Sequence, residues 1–452
     1  MESGGARAIE TTVEQQRLEL VERAIAAHPT LPRECVVKED LLRGGVAFSP
    51  AALGLAANAK NKAYFIFSFD FVPLAAMENQ EHWSAPEEIW LEGGAWDFRP
   101  TIVSVRLNPD SPYCVDVDAE GAPVLKLDGH DLCAVRLPPV PEYYTRALSS
   151  GKRVIEIAPT IEWGYLIYLT VFRICQYFGQ QEECQFCDIN ENYRQQVKAG
   201  RPYTGVKSVE EVLEAMAIIA GTDSASRAYT LTGGSITSQL KGQREAEFYA
   251  QYAAAIESRF PGRWIGKVVA QALPKEEALL FKQAGAQIYH PNFEVWDARL
   301  FHQICPGKDR YVGRSEWHRR ILDAAEIFGP SHVIPNFVGG IEMARPFGFA
   351  SVEEAIRSTA EGLEFFMSRG VAPRFTTWCP EPLTPLGRAN PEGAPLEYHL
   401  RLLETWRDTH ARHKLPVPPG YGDPGMGRAV FSVSSFMDVI APAADSAAIG
   451  SS

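Results

Sequence analysis

The chain is poor in cysteine, poor in positive charge, and without a long apolar run. Eight cysteines among 452 residues are too sparse for a disulfide-stapled scaffold. The most apolar stretch, GYLIYLTVF (164–172), stops at Arg173. A membrane helix needs about 20 apolar residues. The net charge is −12. That argues against sequence-independent nucleic-acid binding, which needs a basic surface to displace counterions. The opening residues, MESGGARAIETTVEQQ, lack the apolar core of a secretory signal. The expectation is a cytoplasmic protein that engages neither nucleic acid nor membrane; its oligomeric state is left open.

What is present is ordinary globular composition, 46% hydrophobic and 22% charged. Residues 1–62 read as Ala-rich helix with a polar face. Residues 63–150 change texture. AYFIFSFDF, TIVSVRLNP, YCVDVDAEG and APVLKLDG are short β-type runs broken by Gly, Pro and Asp, as in a small β-rich region. RLPPVPEYY is a proline-stiffened connection.

From 151 to 415 strand-like and helix-like stretches alternate. Strands are predicted at 164–172, 227–232, 264–273, 286–295, 332–340 and 371–378. Capping boxes at Ser208 with Glu211 and at Ser351 with Glu354 open two of the intervening helices. Other helices are expected near 243–258, from Pro274 to Gly285, at 315–328 and at 394–412. Six β-α units imply an α/β fold with a parallel sheet, closed as a partial barrel or doubly wound. The residues of chemical interest follow the strand C-termini, where barrel enzymes place their sites. That favours a partial (β/α)6 TIM-like barrel. Residues 416–452 read as coil and a loose tail.

Three cysteines share one loop, FRICQYFGQQEECQFCDINENY. Cys184 and Cys187 form a C-x2-C pair, and Cys175 lies nine residues upstream. In a reducing compartment such a cluster points to metal. Four thiolates would suit structural zinc or a fully ligated iron–sulfur cluster. The loop offers three and no nearby His. Three thiolates on a four-iron cube leave one iron open to bind a small molecule. Phe186 would shield such a cluster from water. The competing reading is a zinc site completed by Cys305 or Cys379, in a zinc-stabilised α/β binding protein.

A three-cysteine loop after the first strand of a β-α barrel resembles the radical S-adenosylmethionine superfamily, biotin-synthase-like branch. Its usual spacing is C-x3-C-x2-C; here it is C-x8-C-x2-C, with the aromatic before the last cysteine retained. The resemblance implies a [4Fe–4S] cluster on Cys175, Cys184 and Cys187. It also implies S-adenosyl-L-methionine as cofactor, and a flavodoxin or ferredoxin as electron donor. Thr232-Gly233-Gly234 resembles the Gly-Gly motif that holds the methionine amino group. Asn292 and Glu294, in HPNFEVWD, resemble the ribose-contacting strand. Gly339, Gly340 and Glu342, in NFVGGIEMA, resemble the segment that packs on adenine. The substrate implied is a small molecule, in cofactor or natural-product biosynthesis.

Cys305 in ICPGKDR and Cys379 in TWCPEP could donate a hydrogen atom or touch substrate. Arg310, Arg314 and Arg345 could clamp an anionic substrate. No DxHxxG-type cobalamin motif and no second cysteine-dense segment occur. The expectation is an enzyme without B12 and without a second cluster.

Overall fold

The computed structural model describes residues 17–61, 85–198, 200, 205–424 and 428–440. The predicted strand AYFIFSFDF (63–71), the first sixteen residues and the final AAIGSS lie outside the described residues.

Six parallel strands follow one another in chain order. They are Leu166–Phe172, Ala228–Gly233, Ile265–Ala270, Ile288–Pro291, Asn336–Gly339 and Arg374–Thr377. The first four pair in sequence as parallel neighbours. The fifth and sixth pair likewise. Parallel bridges Tyr289↔Val333 and Glu294↔Phe337 carry the sheet from the fourth strand to the fifth. A helix separates each strand from the next, as parallel pairing requires. Helices Val209–Thr222, Glu245–Arg259, Lys275–Gln283, Arg314–Phe328 and Val352–Met367 fill these connections, and Leu396–Arg412 follows the last strand. The Ser208 box is formed, its hydroxyl accepting from Glu211 N while the Glu211 carboxylate accepts from Ser208 N. This is the partial (β/α)6 barrel. Helix Ile189–Lys198, directly after the cysteine loop, and the short helices Ala298–Ile304 and Pro306–Tyr311 are not foreshadowed by the apolar periodicity.

The N-terminal region is a six-stranded sheet with its own core, built on residues such as Ile89, Leu91, Val103, Val115 and Leu125. Helix Arg33–Gly44 lies between that core and the barrel's, giving Val37, Leu41 and Leu42 to one and Cys35 and Val36 to the other. Its polar face is therefore buried. Each charge there is matched: Lys38 pairs with Asp438 at 2.8 Å, Asp40 with Arg17 and Arg43, and Glu34 with Arg99. Glu39 accepts from Thr377 Oγ1 at 2.6 Å and Ser435 N at 2.7 Å. Buried charges persist only when matched this way.

The C-terminal segment departs from the expected loose tail. Phe436 and Met437 are fully buried, each worth about 1.5–3 kcal/mol of apolar burial. Thr377 N on the last barrel strand donates to Val433 O, and Ser104 N of the N-terminal sheet donates to Ser432 O. Ser432 N donates to Glu162 Oε2 at 2.7 Å, just ahead of the first barrel strand. Residues 431–435 thus stitch the last strand to the first and to the N-terminal sheet. Among the described residues no helix is long and apolar enough to cross a membrane.

Candidate functional site

Side chains alternate along a strand, so every second residue of the six strands points into the barrel. At the C-terminal end these residues line a cavity of about 220 Å³. Cys175, Cys184 and Cys187 lie on its wall. All three are free thiols.

The cysteine loop is held by its backbone. Cys175 N donates to Asn190 Oδ1 at 2.8 Å, and Asn190 Nδ2 donates to Tyr177 O at 2.9 Å. Gln176 Oε1 accepts from Thr237 N at 2.9 Å and Ser238 N at 3.2 Å, on the loop after the second strand. Gln185 N donates to Ile304 O, and Gly307 N to Glu182 O. A Cβ on Gly307 would stand 2.5 Å from Glu182 O and 2.7 Å from the Tyr177 ring. Below the loop, Tyr177 donates to Gln271, whose N and Nε2 both donate at 2.7 Å to the buried Glu245 carboxylate. Burial raises the Glu245 carboxyl above its usual range.

The predicted residues fall into two sets. Thr232, Gly233, Gly234, Asn292, Glu294 and Cys379 line the cavity with the three cysteines. Gly234 has a steric reason of its own: a Cβ there would lie 2.1 Å from Ile174 O and 2.5 Å from Cys175 Cα. The glycine pair lets the second strand's loop run against the cysteine backbone. Asn292 Oδ1 is buried without a hydrogen-bond partner.

Gly339, Gly340, Glu342 and Cys305 do not line the cavity. Strand alternation decides the first. Asn336 and Val338 point inward, so Gly339 points outward, where a Cβ would meet Leu402 at 3.0 Å. A Cβ on Gly340 would meet Ala394, His399 and Trp378. Glu342 accepts from Thr359 and, at 2.8 Å, from Tyr398 of the covering helices. Cys305 is fully buried, and its thiol favours the Cys184 thiolate. Gly339, Gly340, Glu342 and Cys305 therefore lie off the cavity lining, with Asn336 and Val338 taking the inward positions of the fifth strand.

The three arginines named from the sequence lie away from the cavity. Arg310 pairs with Glu182 at the surface, Arg314 donates to Trp296 O, and Arg345 is exposed. None of the three lines the cavity. Lys308 and Arg374 do. Lys308 follows Cys305 in ICPGKDR, and Arg374 opens the sixth strand. Inward alternation in RFTTW would have singled out Arg374; nothing local marks Lys308.

Charge around the thiols is uneven. Burial pushes the Cys175 thiol up to about 12. Burial and Asp188 push Cys187 up as well. The Cys305 thiol, with help from Lys308, holds Cys184 below its ordinary value. A bound metal favours every thiolate and overrides such differences. Among the described residues, no group of three or more His, Cys, Asp or Glu side chains converges on a point where one ion could bind. Three free thiols beside an open cavity are a donor set that suits a four-iron cluster with one iron left unligated.

No protein-family description and no curated protein sequence matches the chain. Solved structures do. One is the crystal structure of methylornithine synthase, with a TM-score of 0.38 and 14% identity over 54% of this chain and 62% of that one. Another is coproporphyrinogen III oxidase from Escherichia coli, described as a radical SAM enzyme, with a TM-score of 0.35 and 11% identity over 55% of this chain and 52% of that one. The chain spans less than two thirds of the length of either.

Proposed function

We propose that this chain is a radical S-adenosylmethionine enzyme acting on a small molecule. The observation that carries the reading is the gathering of Cys175, Cys184 and Cys187 on one wall of a cavity at the C-terminal mouth of a partial (β/α)6 barrel. These thiolates would hold a [4Fe–4S] cluster. Bound there, the cluster would supply one-electron reduction that breaks the C5′–S bond of S-adenosyl-L-methionine, releasing methionine, for hydrogen-atom abstraction from the substrate.

The chain's own residues bind, orient and exclude water. Thr232, Gly233 and Gly234 border the cysteines and offer backbone groups to the methionine moiety. Asn292 contributes a buried, unpartnered acceptor. Glu294 adds a carboxylate fixed by Lys308. Phe186 and Trp378 make the wall partly apolar, which keeps a reactive intermediate from solvent. Cys379, buried on the same wall, is placed to meet a substrate. A flavodoxin or ferredoxin would deliver the electron.

The test is anaerobic reconstitution of the full chain with iron and sulfide, then dithionite and S-adenosylmethionine. Brown protein and 5′-deoxyadenosine are expected. Colourless protein holding stoichiometric zinc would end the reading.

A further inference from the structure

Below the cysteine cavity lies a second chamber, of about 90 Å³. The two share Tyr168, Val269, Arg374 and Thr376 as walls. Strand alternation sets which residue faces which chamber. On the third strand and just past it, Lys267 faces the lower chamber, Val269 both, and Gln271 the upper. On the second, Thr230 faces the lower and Thr232 the upper. The two chambers lie one above the other along the barrel, with Tyr168, Val269, Arg374 and Thr376 at their shared boundary and a floor beneath the lower one. That floor is made by the N-terminal sheet (Glu87, Glu88, Ser104) and the C-terminal segment (Tyr421, Phe431, Ser432).

Two cations face this lower chamber without an acid of their own. Among the described residues neither Arg374 nor Lys267 makes an ion pair. Arg374 donates from Nη1 to Tyr421 Oη at 3.2 Å, while its Nε is buried with no partner. Lys267 is buried, donates to Gly420 O, and sits 4.2 Å from the Tyr421 ring centroid. Three acids, Glu87, Glu88 and Glu162, line the same chamber, and the first two act on Lys60. Glu88 accepts from Glu162 N and from Trp163 N at 2.9 Å, and lies 3.5 Å from Lys60. Glu162 accepts from Ser432 N at 2.7 Å and Ser432 Oγ at 3.2 Å. Lys267 is buried and Arg374 half-buried; burial and the nearby Arg374 push the Lys267 ammonium down to about 7, and an unpaired charge taken out of water is costly. An anion between them offsets that cost, and an arginine fork suits carboxylate or phosphate.

We infer that the lower chamber is a subsite for the anionic end of the substrate, with Arg374 as the principal contact and Lys267 as the second cation. The substrate class is then a small molecule carrying a carboxylate or phosphoryl group at one end and its reacting carbon at the other. The anion lodges at the barrel floor, and the carbon points up past Thr376 toward the cysteine cavity. This rests on the function proposed above and names the substrate's chemistry for the same site.

The test is calorimetric titration of the full chain with butyrate and, separately, with inorganic phosphate. It needs neither iron nor S-adenosylmethionine, so its failure is distinguishable from failure of the radical chemistry. Saturable binding of one anion is expected, weakened about tenfold or more by Arg374→Gln and less by Arg374→Lys. Preference for butyrate identifies a carboxylate substrate; preference for phosphate identifies a phosphoryl one. Lys267→Met is a second, independent variant and should also weaken binding. No binding of either anion to the wild-type chain, or binding that folded Arg374→Gln and Lys267→Met chains retain unchanged, overturns the inference.

Discussion

Lys308 sets its ammonium 2.5 Å from Glu294 Oε1 and 3.0 Å from Asn292 O, with both members of the ion pair buried. The pair ties the loop after the fourth strand to the short helix Pro306–Tyr311, and that helix packs against the cysteine loop through Gly307. Glu294 takes a φ of 81°, a left-handed conformation that this anchoring stabilises. Replacing Lys308 with Met leaves Glu294 buried without a counter-charge, at a cost of about 3–5 kcal/mol. Lys308→Arg should lose much less. Chemical denaturation of the three proteins measures the difference.

Cys184 faces the cavity, whereas Cys305, whose thiol favours the Cys184 thiolate, is buried away from it. Serine at Cys175, Cys184 or Cys187 should abolish iron loading after reconstitution. Alanine at Cys305 should leave it largely intact. Iron and sulfide analysis of purified variants separates these outcomes. Equal loss at all four positions would indicate a four-thiolate site and return the zinc alternative.

Gly234 and Gly221 make a matched pair of alanine tests. At Gly234 the added methyl strikes the Ile174 carbonyl and the Cys175 backbone. The expected result is a loss of about 1–3 kcal/mol, with iron loading reduced because Cys175 is displaced. At Gly221, inside helix Val209–Thr222, a Cβ meets nothing within 4 Å. There alanine should stabilise by about 0.5–1 kcal/mol. Thermal melts of both variants, with iron content, check the contrast.

Glu342 should make stability depend on pH. Burial raises its carboxyl to about 7 from an ordinary value of 4.5, against the lowering effect of Thr359, Tyr398 and Ser358. Between those pH values the unfolded chain has released the proton and the native chain has kept it. The stability of the protonated native state is therefore full below pH 4.5 and falls as pH rises toward about 7. Glu342→Gln removes this dependence. Above pH 7 it should be more stable than wild type by on the order of 2–3 kcal/mol, with the gap closing in acid. Denaturation at several pH values measures it.

The six-strand barrel was legible because apolar and β-prone runs mark the strands and local signals such as the Ser208 and Ser351 caps mark helices between them. These are local signals, and the strands appear where they predict. The cysteine trio was legible because all three sit in one loop. That Gly339 faces away from the cavity was not legible, because Asn336 and Val338 take the inward positions and inside and outside are both buried in this barrel. The two apolar faces look alike in a one-dimensional pattern.

By itself, then, the amino-acid order determined the parallel α/β architecture, the strand ends where chemistry gathers, and the three thiols at the first of them. Only the tertiary structure decided the rest. It drew Lys308 to Glu294, turned Arg374 and Lys267 into one chamber, and packed Phe436 and Met437 against the barrel instead of leaving a tail. The reason is range: periodicity and capping act within a few residues of chain, whereas burial and charge pairing join groups that meet only after the chain has closed on itself.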